Sequence, residues 1–163
     1  MENSQAKESA EEEKRALNKM AHWCSMQERC SGDVRDKLAA MDLSSDAVER
    51  IIDRLKRERF LDDSRYALYY VKDKSRFNSW GPTKLRYMLR NKRVSDEFID
   101  EALQSIDADT YTAQLEKLMK NKIRLSHAAD LQKLKAQLLR LGASHGYPYD
   151  DTYRMIEKLL QGR

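Results

Sequence analysis

The chain has 163 residues, with 31 Lys and Arg against 27 Asp and Glu and a formal net charge of +4 at neutral pH. Five glycines and two prolines are too few for a turn-rich β protein, and a 36 % charged content stands well above the usual quarter. The composition therefore predicts many thin helices with much solvated surface. No stretch approaches the roughly 18 apolar residues of a membrane span, so no membrane partner is expected.

Residues 1–14 are polar and glutamate-rich. They lack the apolar centre of a secretory signal and have almost nothing to bury, so this segment is predicted to be a disordered acidic tail on a cytoplasmic protein. The first helix is expected over Ala16 to Met26. Cys24 and Cys30 read as small buried hydrophobes near the end of that one helix. Together with His22 they offer only three candidate metal ligands at unsuitable spacing, so neither a metal nor a cofactor is assigned.

An internal repeat organises the rest. Val34, Leu38, Leu43, Ser44, Val48 and Ile52 match Leu85, Leu89, Val94, Ser95, Ile99 and Leu103, each pair 51 residues apart. Both segments read as a helix, a short turn and a second amphipathic helix. A further helix precedes each, Ala16 to Met26 in one and Arg65 to Phe77 in the other. A third copy fits with an insertion: helices over Thr110 to Lys120, Leu131 to Leu141 and Asp151 to Leu160, with a turn at Tyr147 to Asp150. There Tyr147 replaces Leu43 and Val94, and Gly142 falls where Leu38 and Leu89 stood. The predicted fold is all-α, an elongated curved array of three tandem three-helix repeats over residues 15–60, 61–107 and 108–163. Units of this size bury little alone and share surface with their neighbours.

Local signals mark the helix ends. Ser45 with Asp46 and Ser95 with Asp96 are candidate caps. Pro82 after Gly81 suits a first helical turn. Asp62 and Asp63 place negative charge at the start of the helix through Arg65, which makes capping a better account of them than acid–base chemistry.

Charge is concentrated in the middle. Between Arg50 and Arg93 lie fourteen Lys and Arg against five Asp and Glu, a local net of +9, while the remainder sums to −5. Arg65, Tyr69, Lys72 and Arg76 follow at steps of four, three and four, which forms one stripe on a helix. Arg54 and Arg57 on the preceding helix, and Arg86 and Arg90 on the following one, extend the basic character. A solvated face is the ordinary reading of scattered Lys and Arg. The local concentration and the interleaved aromatics favour a surface for phosphates or for an acidic protein groove. Trp80 reads as a plug at the junction between two units. There is no phosphate-binding glycine loop, nucleophile elbow or histidine pair at metal spacing, so an enzyme is not expected.

The run Phe-Leu-Asp-Asp-Ser-Arg-Tyr-Ala at 60–67, the Asn-Ser-Trp-Gly at 78–81 and the repeated leucine–hydrophobic–serine turn resemble the RecX family, modulators of the bacterial recombinase RecA. The resemblance covers Arg15 to Leu160. It implies tandem three-helix repeats and a protein that binds the filament of RecA on single-stranded DNA. It further implies insertion into the filament groove and inhibition of strand exchange, ATP hydrolysis and co-protease activity. Arg65, Tyr69, Lys72 and Arg76 are then the expected partner- or DNA-binding residues, with Arg54, Arg57, Arg86 and Arg90 as outer contacts. The alternative is a stand-alone, non-specific DNA-binding helical module. Against it, Glu97, Asp100 and Glu101 make the would-be recognition helix acidic. A scaffold recruiting a partner through the acidic N-terminus is a third reading. No long heptad seam is present, so a monomer is expected.

Overall fold

The structure, a computed structural model, describes residues 1–163. It contains nine helices and no strands: α1 (Glu2–Met26), α2 (Ser31–Ala39), α3 (Ser45–Arg57), α4 (Asp63–Asn78), α5 (Pro82–Asn91), α6 (Asp96–Gln104), α7 (Ala108–Leu125), α8 (Leu131–Ser144) and α9 (Tyr149–Leu160). Every extensively packed helix pair lies within one set of three, so the chain is three three-helix units in tandem. Each has its own small core. Met20, Leu38, Ile52 and Leu55 centre the first, Leu85, Leu89 and Ile99 the second, and Met119, Leu138 and Ile156 the third.

The N-terminal segment departs from expectation. Residues 2–14 continue α1 as helix rather than forming a disordered tail. The reason is cooperative: residues 16–26 are held by the core through Ala16, Met20 and Cys24, and an Ala-, Glu- and Lys-rich extension adds turns without a new nucleation cost. Within that extension, Glu13 forms a two-pronged ion pair with Arg50 of α3, both contacts at 2.9 Å.

Capping follows short side chains, with one shift and one omission. Ser44, not Ser45, accepts the Ala47 N–H at 3.1 Å, whereas Ser95 takes the cap position without a side-chain bond. Asp62 accepts from Arg65 N at 3.0 Å, Asp107 from Thr110 N at 2.7 Å and Asp130 from Lys133 N at 2.8 Å. Pro82 opens α5 with Gly81 as its cap.

The units join by a recurring device. The N-terminus of the second helix in one unit docks onto the turn between the second and third helices of the next. At the first junction Cys30, Ser31 and Gly32 meet Lys92 and Arg93. Cys30 lies at the start of α2, not on α1 with Cys24, and its side chain enters the second unit's core. Arg93 donates to the Gly32 carbonyl at 2.8 Å and Lys92 pairs with Asp33 at 2.8 Å. Asp63 accepts the Ser31 N–H at 2.7 Å and the Ser31 hydroxyl as well.

At the second junction the Gly81 N–H donates to His145 O at 2.6 Å and Thr83 N–H to Gly146 O at 2.9 Å. In repeat register Gly81 replaces Cys30, and a Cβ there would sit 2.6 Å from Gly146 O. Backbone therefore meets backbone where the first junction inserts a thiol. Trp80 packs against the second core and lines the cleft toward Tyr111, Pro148 and Asp151, as a junction plug should. No hydrogen bond or ion pair links the first unit to the third.

The third unit's departure at Gly142 is compensated. In register with Leu38 and Leu89, Gly142 faces Thr152, which is 1 % exposed and donates its hydroxyl to Pro148 O at 3.0 Å. A Cβ at Gly142 would collide with that threonine, so glycine allows α8 and α9 a close approach.

Candidate docking face

At 3.6 residues per turn, Arg65, Tyr69, Lys72 and Arg76 fall on the side of α4 opposite the buried Tyr66, Ala67, Val71 and Ser75. All four are exposed. Tyr69 retains 57 % of its surface, so it does not cap the core. The helix supplies this geometry by itself: its inner face packs on α6 and leaves the outer face bare.

The concentrated positive charge of the middle segment is a property of the chain more than of the surface. Eight of its fourteen cations lie within 4.0 Å of a carboxylate. Six of those carboxylates come from outside the segment, namely Glu13, Glu28, Asp33, Asp36, Asp96 and Asp100. The acidic flanks fold back onto the basic centre. Of the eight expected contact residues, Arg54 pairs with Glu58 at 3.0 Å and Arg65 with Glu28 at 2.6 Å. Arg86 pairs with Asp100 at 2.6 Å and Arg90 with Asp96 at 2.7 Å. The Arg90 guanidinium donates to the Asp96 carboxylate and holds its pKa below the ordinary range.

Arg57, Lys72 and Arg76 have no such partner. Lys72 and Arg76 share one cleft of about 450 Å³ with Ser75 on α4, Ser105 and Asp107 between α6 and α7, and Thr110 and Gln114 on α7. Arg54 and Arg57 instead line a groove between α1 and α3, beside Glu13 and Lys14. Arg86 and Arg90 sit on α5, tied to α6. The expected residues therefore lie on three helices, and among them Lys72 and Arg76 on α4 and Arg57 on α3 are the cations without a carboxylate partner.

Sequence reasoning passed over Phe77. It is 71 % exposed at the end of α4, and the Arg76 guanidinium lies 5.2 Å from its ring centroid. A phenylalanine directly before the Asn78–Ser79 helix end, next to an arginine, was the available signal. Ser79 ends the helix in a left-handed conformation, φ 54°, which turns the chain away and leaves the ring uncovered.

These features define a helical-repeat protein that presents a charged and aromatic helix face across a shallow cleft. Two family models match the chain: RecX, first three-helix domain, over residues 16–55, and RecX, second three-helix domain, over residues 62–103. The regulatory protein RecX of Clostridium perfringens (strain 13 / Type A) is 33 % identical over 129 residues, covering 78 % of this chain and 60 % of that protein. That of Clostridium botulinum (strain Eklund 17B / Type B) is 38 % identical over 129 residues, with the same coverage. The chain belongs to the RecX family. It spans about 60 % of the length of these relatives. A crystal structure of regulatory protein RecX superposes with a TM-score of 0.86 at 24 % identity, covering 96 % of this chain and 77 % of the other. One of RecX from Lactobacillus salivarius gives 0.82 at 23 % identity, covering 92 % and 97 %. At these identities the two structures establish the fold. No helix of this chain is long and apolar enough to cross a membrane.

Proposed function

We propose that this protein is a non-enzymatic, cytoplasmic regulator that binds the RecA filament on single-stranded DNA as a monomer. In this reading it enters the filament groove and inhibits strand exchange, ATP hydrolysis and co-protease activity. The family membership supports the RecA partner. The observation that carries the site is the outer face of α4, where Lys72 and Arg76 lack internal carboxylates while most neighbouring cations have one. Free cations meet an incoming negative partner without first breaking an ion pair, so they contribute more to steering and retention than paired ones. Arg65, Arg54, Arg57, Arg86 and Arg90 serve as a secondary ring around Tyr69, Lys72 and Arg76.

A tandem array with small cores suits a groove because it offers length without thickness. Sequence-specific duplex reading is disfavoured. Glu97, Asp100 and Glu101 are exposed on α6, the helix that would enter a major groove, and phosphates repel them. The test is a titration of the full chain into RecA hydrolysing ATP on single-stranded DNA. Hydrolysis and strand exchange should both fall as protein is added. Unchanged rates at saturating protein reject the proposal.

A further inference from the structure

We infer that the first junction is an ionic latch: competing anions open it, and the first unit then swings on a second and third unit that stay locked together.

The two junctions are held by different chemistry. Three ion pairs cross between units, and all three lie at the first junction. They join Arg65 to Glu28 at 2.6 Å, Lys92 to Asp33 at 2.8 Å and Arg93 to Asp36 at 2.7 Å. The other strong polar links there also carry a charge on one side. Arg93 donates to Gly32 O, Arg65 donates to Arg59 O, and Asp63 accepts the Ser31 N–H and hydroxyl. No backbone–backbone hydrogen bond joins residues 27–39 to the second unit.

The second junction is the reverse. The ion pairs of the third unit, Lys120–Glu116, Lys135–Glu157 and Arg154–Asp151, stay inside it. Two backbone bonds make the joint, from the Gly81 N–H to His145 O and the Thr83 N–H to Gly146 O. A single long lysine contact adds to them, Lys84 Nζ to Ser144 O at 3.4 Å.

These two kinds of joint answer differently to ions in solution. Screening shortens the reach of a charge from about 10 Å at 0.1 M salt to about 3 Å at 1 M, and exposed pairs weaken accordingly. Bonds between uncharged backbone groups have no such dependence. The Arg65 and Arg93 side chains keep 42 % and 53 % of their surface in water, so an outside anion reaches them. With the charges screened, two contacts still hold α2 to the second unit. One is the Cys30 thiol, 3.8 Å from Lys92 O, and the other is the close approach of Gly32 to that carbonyl. Cys30 is buried in the second core and Cys24 in the first. Opening the latch therefore uncovers Cys30 and leaves Cys24 covered. An anionic partner that takes Arg65, Lys92 and Arg93 displaces Glu28, Asp33 and Asp36, and so changes the bend of the array at that one point.

The first measurement is alkylation of the native cysteines, read by mass spectrometry of each peptide. It compares about 0.05 M with about 1 M sodium chloride, and adds inorganic polyphosphate at the lower salt. Cys30 should label about tenfold faster in high salt or with polyphosphate, while Cys24 changes by less than about twofold. Lys92→Gln with Arg93→Gln should give the fast Cys30 rate already at low salt and remove most of the further response. The second measurement is the distance between paired spin labels by double electron–electron resonance. Asn18→Cys with Glu97→Cys spans the first junction, and Glu97→Cys with Lys133→Cys spans the second. Salt should broaden the first distance distribution and leave the second unchanged. Cys30 labelling that ignores salt, or that responds to salt and not to polyphosphate, overturns the inference. So do distance distributions that respond alike at both junctions. If the Lys92–Arg93 double variant labels Cys24 as fast as Cys30, it has lost its first core, and the spin-label distances decide. Neither measurement contains RecA, so the outcome is independent of the proposed function.

Discussion

Arg93 and Gly146 fill the same turn position in successive units, and both take a left-handed backbone, with φ of 60° and 85°. Each closes the turn that receives the preceding unit. Arg93 carries a side chain in a conformation that costs about 1 kcal/mol outside glycine, and its guanidinium offsets this by binding Gly32 O and Asp36 at 2.8 and 2.7 Å. Gly146 has no such side chain; Lys84 and its backbone press against the space a Cβ would need. The same joint is thus made by a clamp in one case and by close backbone approach in the other.

That difference makes the two junctions separately testable. Gly146→Ala should destabilise by about 2 kcal/mol or more, from strained φ plus collision with backbone. Gly32→Ala should act similarly through the Lys92 carbonyl. Differential scanning calorimetry reads both. A melting temperature unchanged in either variant removes that junction as a stabilising joint.

Gly142 and Thr152 should behave as a coupled pair. Gly142→Ala alone crowds α8 against α9, and Thr152→Ala alone loses the bond to Pro148 O. The double variant should recover about 1–2 kcal/mol relative to the sum of the single effects. Additive losses in denaturant titrations would mean that α8 and α9 do not meet at this point.

Free and paired cations should differ in regulation of RecA. Lys72→Gln with Arg76→Gln should raise the concentration needed for half-inhibition of RecA ATP hydrolysis by about tenfold near 0.1 M salt. Arg86→Gln with Arg90→Gln should change it by less than about threefold, because exposed pairs to Asp100 and Asp96 already occupy those guanidinium groups. Equal effects from both double variants would contradict the assignment.

Acid should destabilise the fold in a defined direction. Arg50 holds the Glu13 pKa below the ordinary range, Arg90 does the same for Asp96, and the Thr110 N–H does so for Asp107. A carboxylate whose folded pKa is depressed stabilises fully above its unfolded value, near 4, and loses that contribution as pH falls through the folded value. Melting temperature should therefore hold near neutrality and drop below about pH 4. Combining Glu13→Gln, Asp96→Asn and Asp107→Asn should lower the neutral plateau and flatten the acid limb. An acid limb as steep as wild type would place the responsible groups elsewhere.

Burial pushes the Cys30 thiol up to about 11 and raises that of Cys24 as well. Thiolate is scarce at neutral pH in both, so alkylation of the native protein near pH 7.5 should be slow and should accelerate sharply in denaturant. Mass spectrometry of each peptide follows this. Rapid native labelling of Cys30 would mean that the first junction opens readily.

The 51-residue spacing, the apolar periodicity and the turn residues were sufficient to determine nine helices in three sets, because those signals act within a few residues or recur in register. The stripe on α4 was legible for the same reason, since helical geometry alone aligns Arg65, Tyr69, Lys72 and Arg76. Which of those charges stay free was decided by tertiary structure. Glu28 reaches Arg65 and Glu13 reaches Arg50 across 37 residues, and Lys92 and Arg93 reach back about 60 residues to Asp33 and Asp36. Net charge along a chain carries no record of such pairings, which depend on where folding brings each carboxylate. The entry of Cys30 into the neighbouring core and the exposure of Phe77 share that origin: both follow from how one unit is set against the next, or how the chain leaves a helix, rather than from residue type.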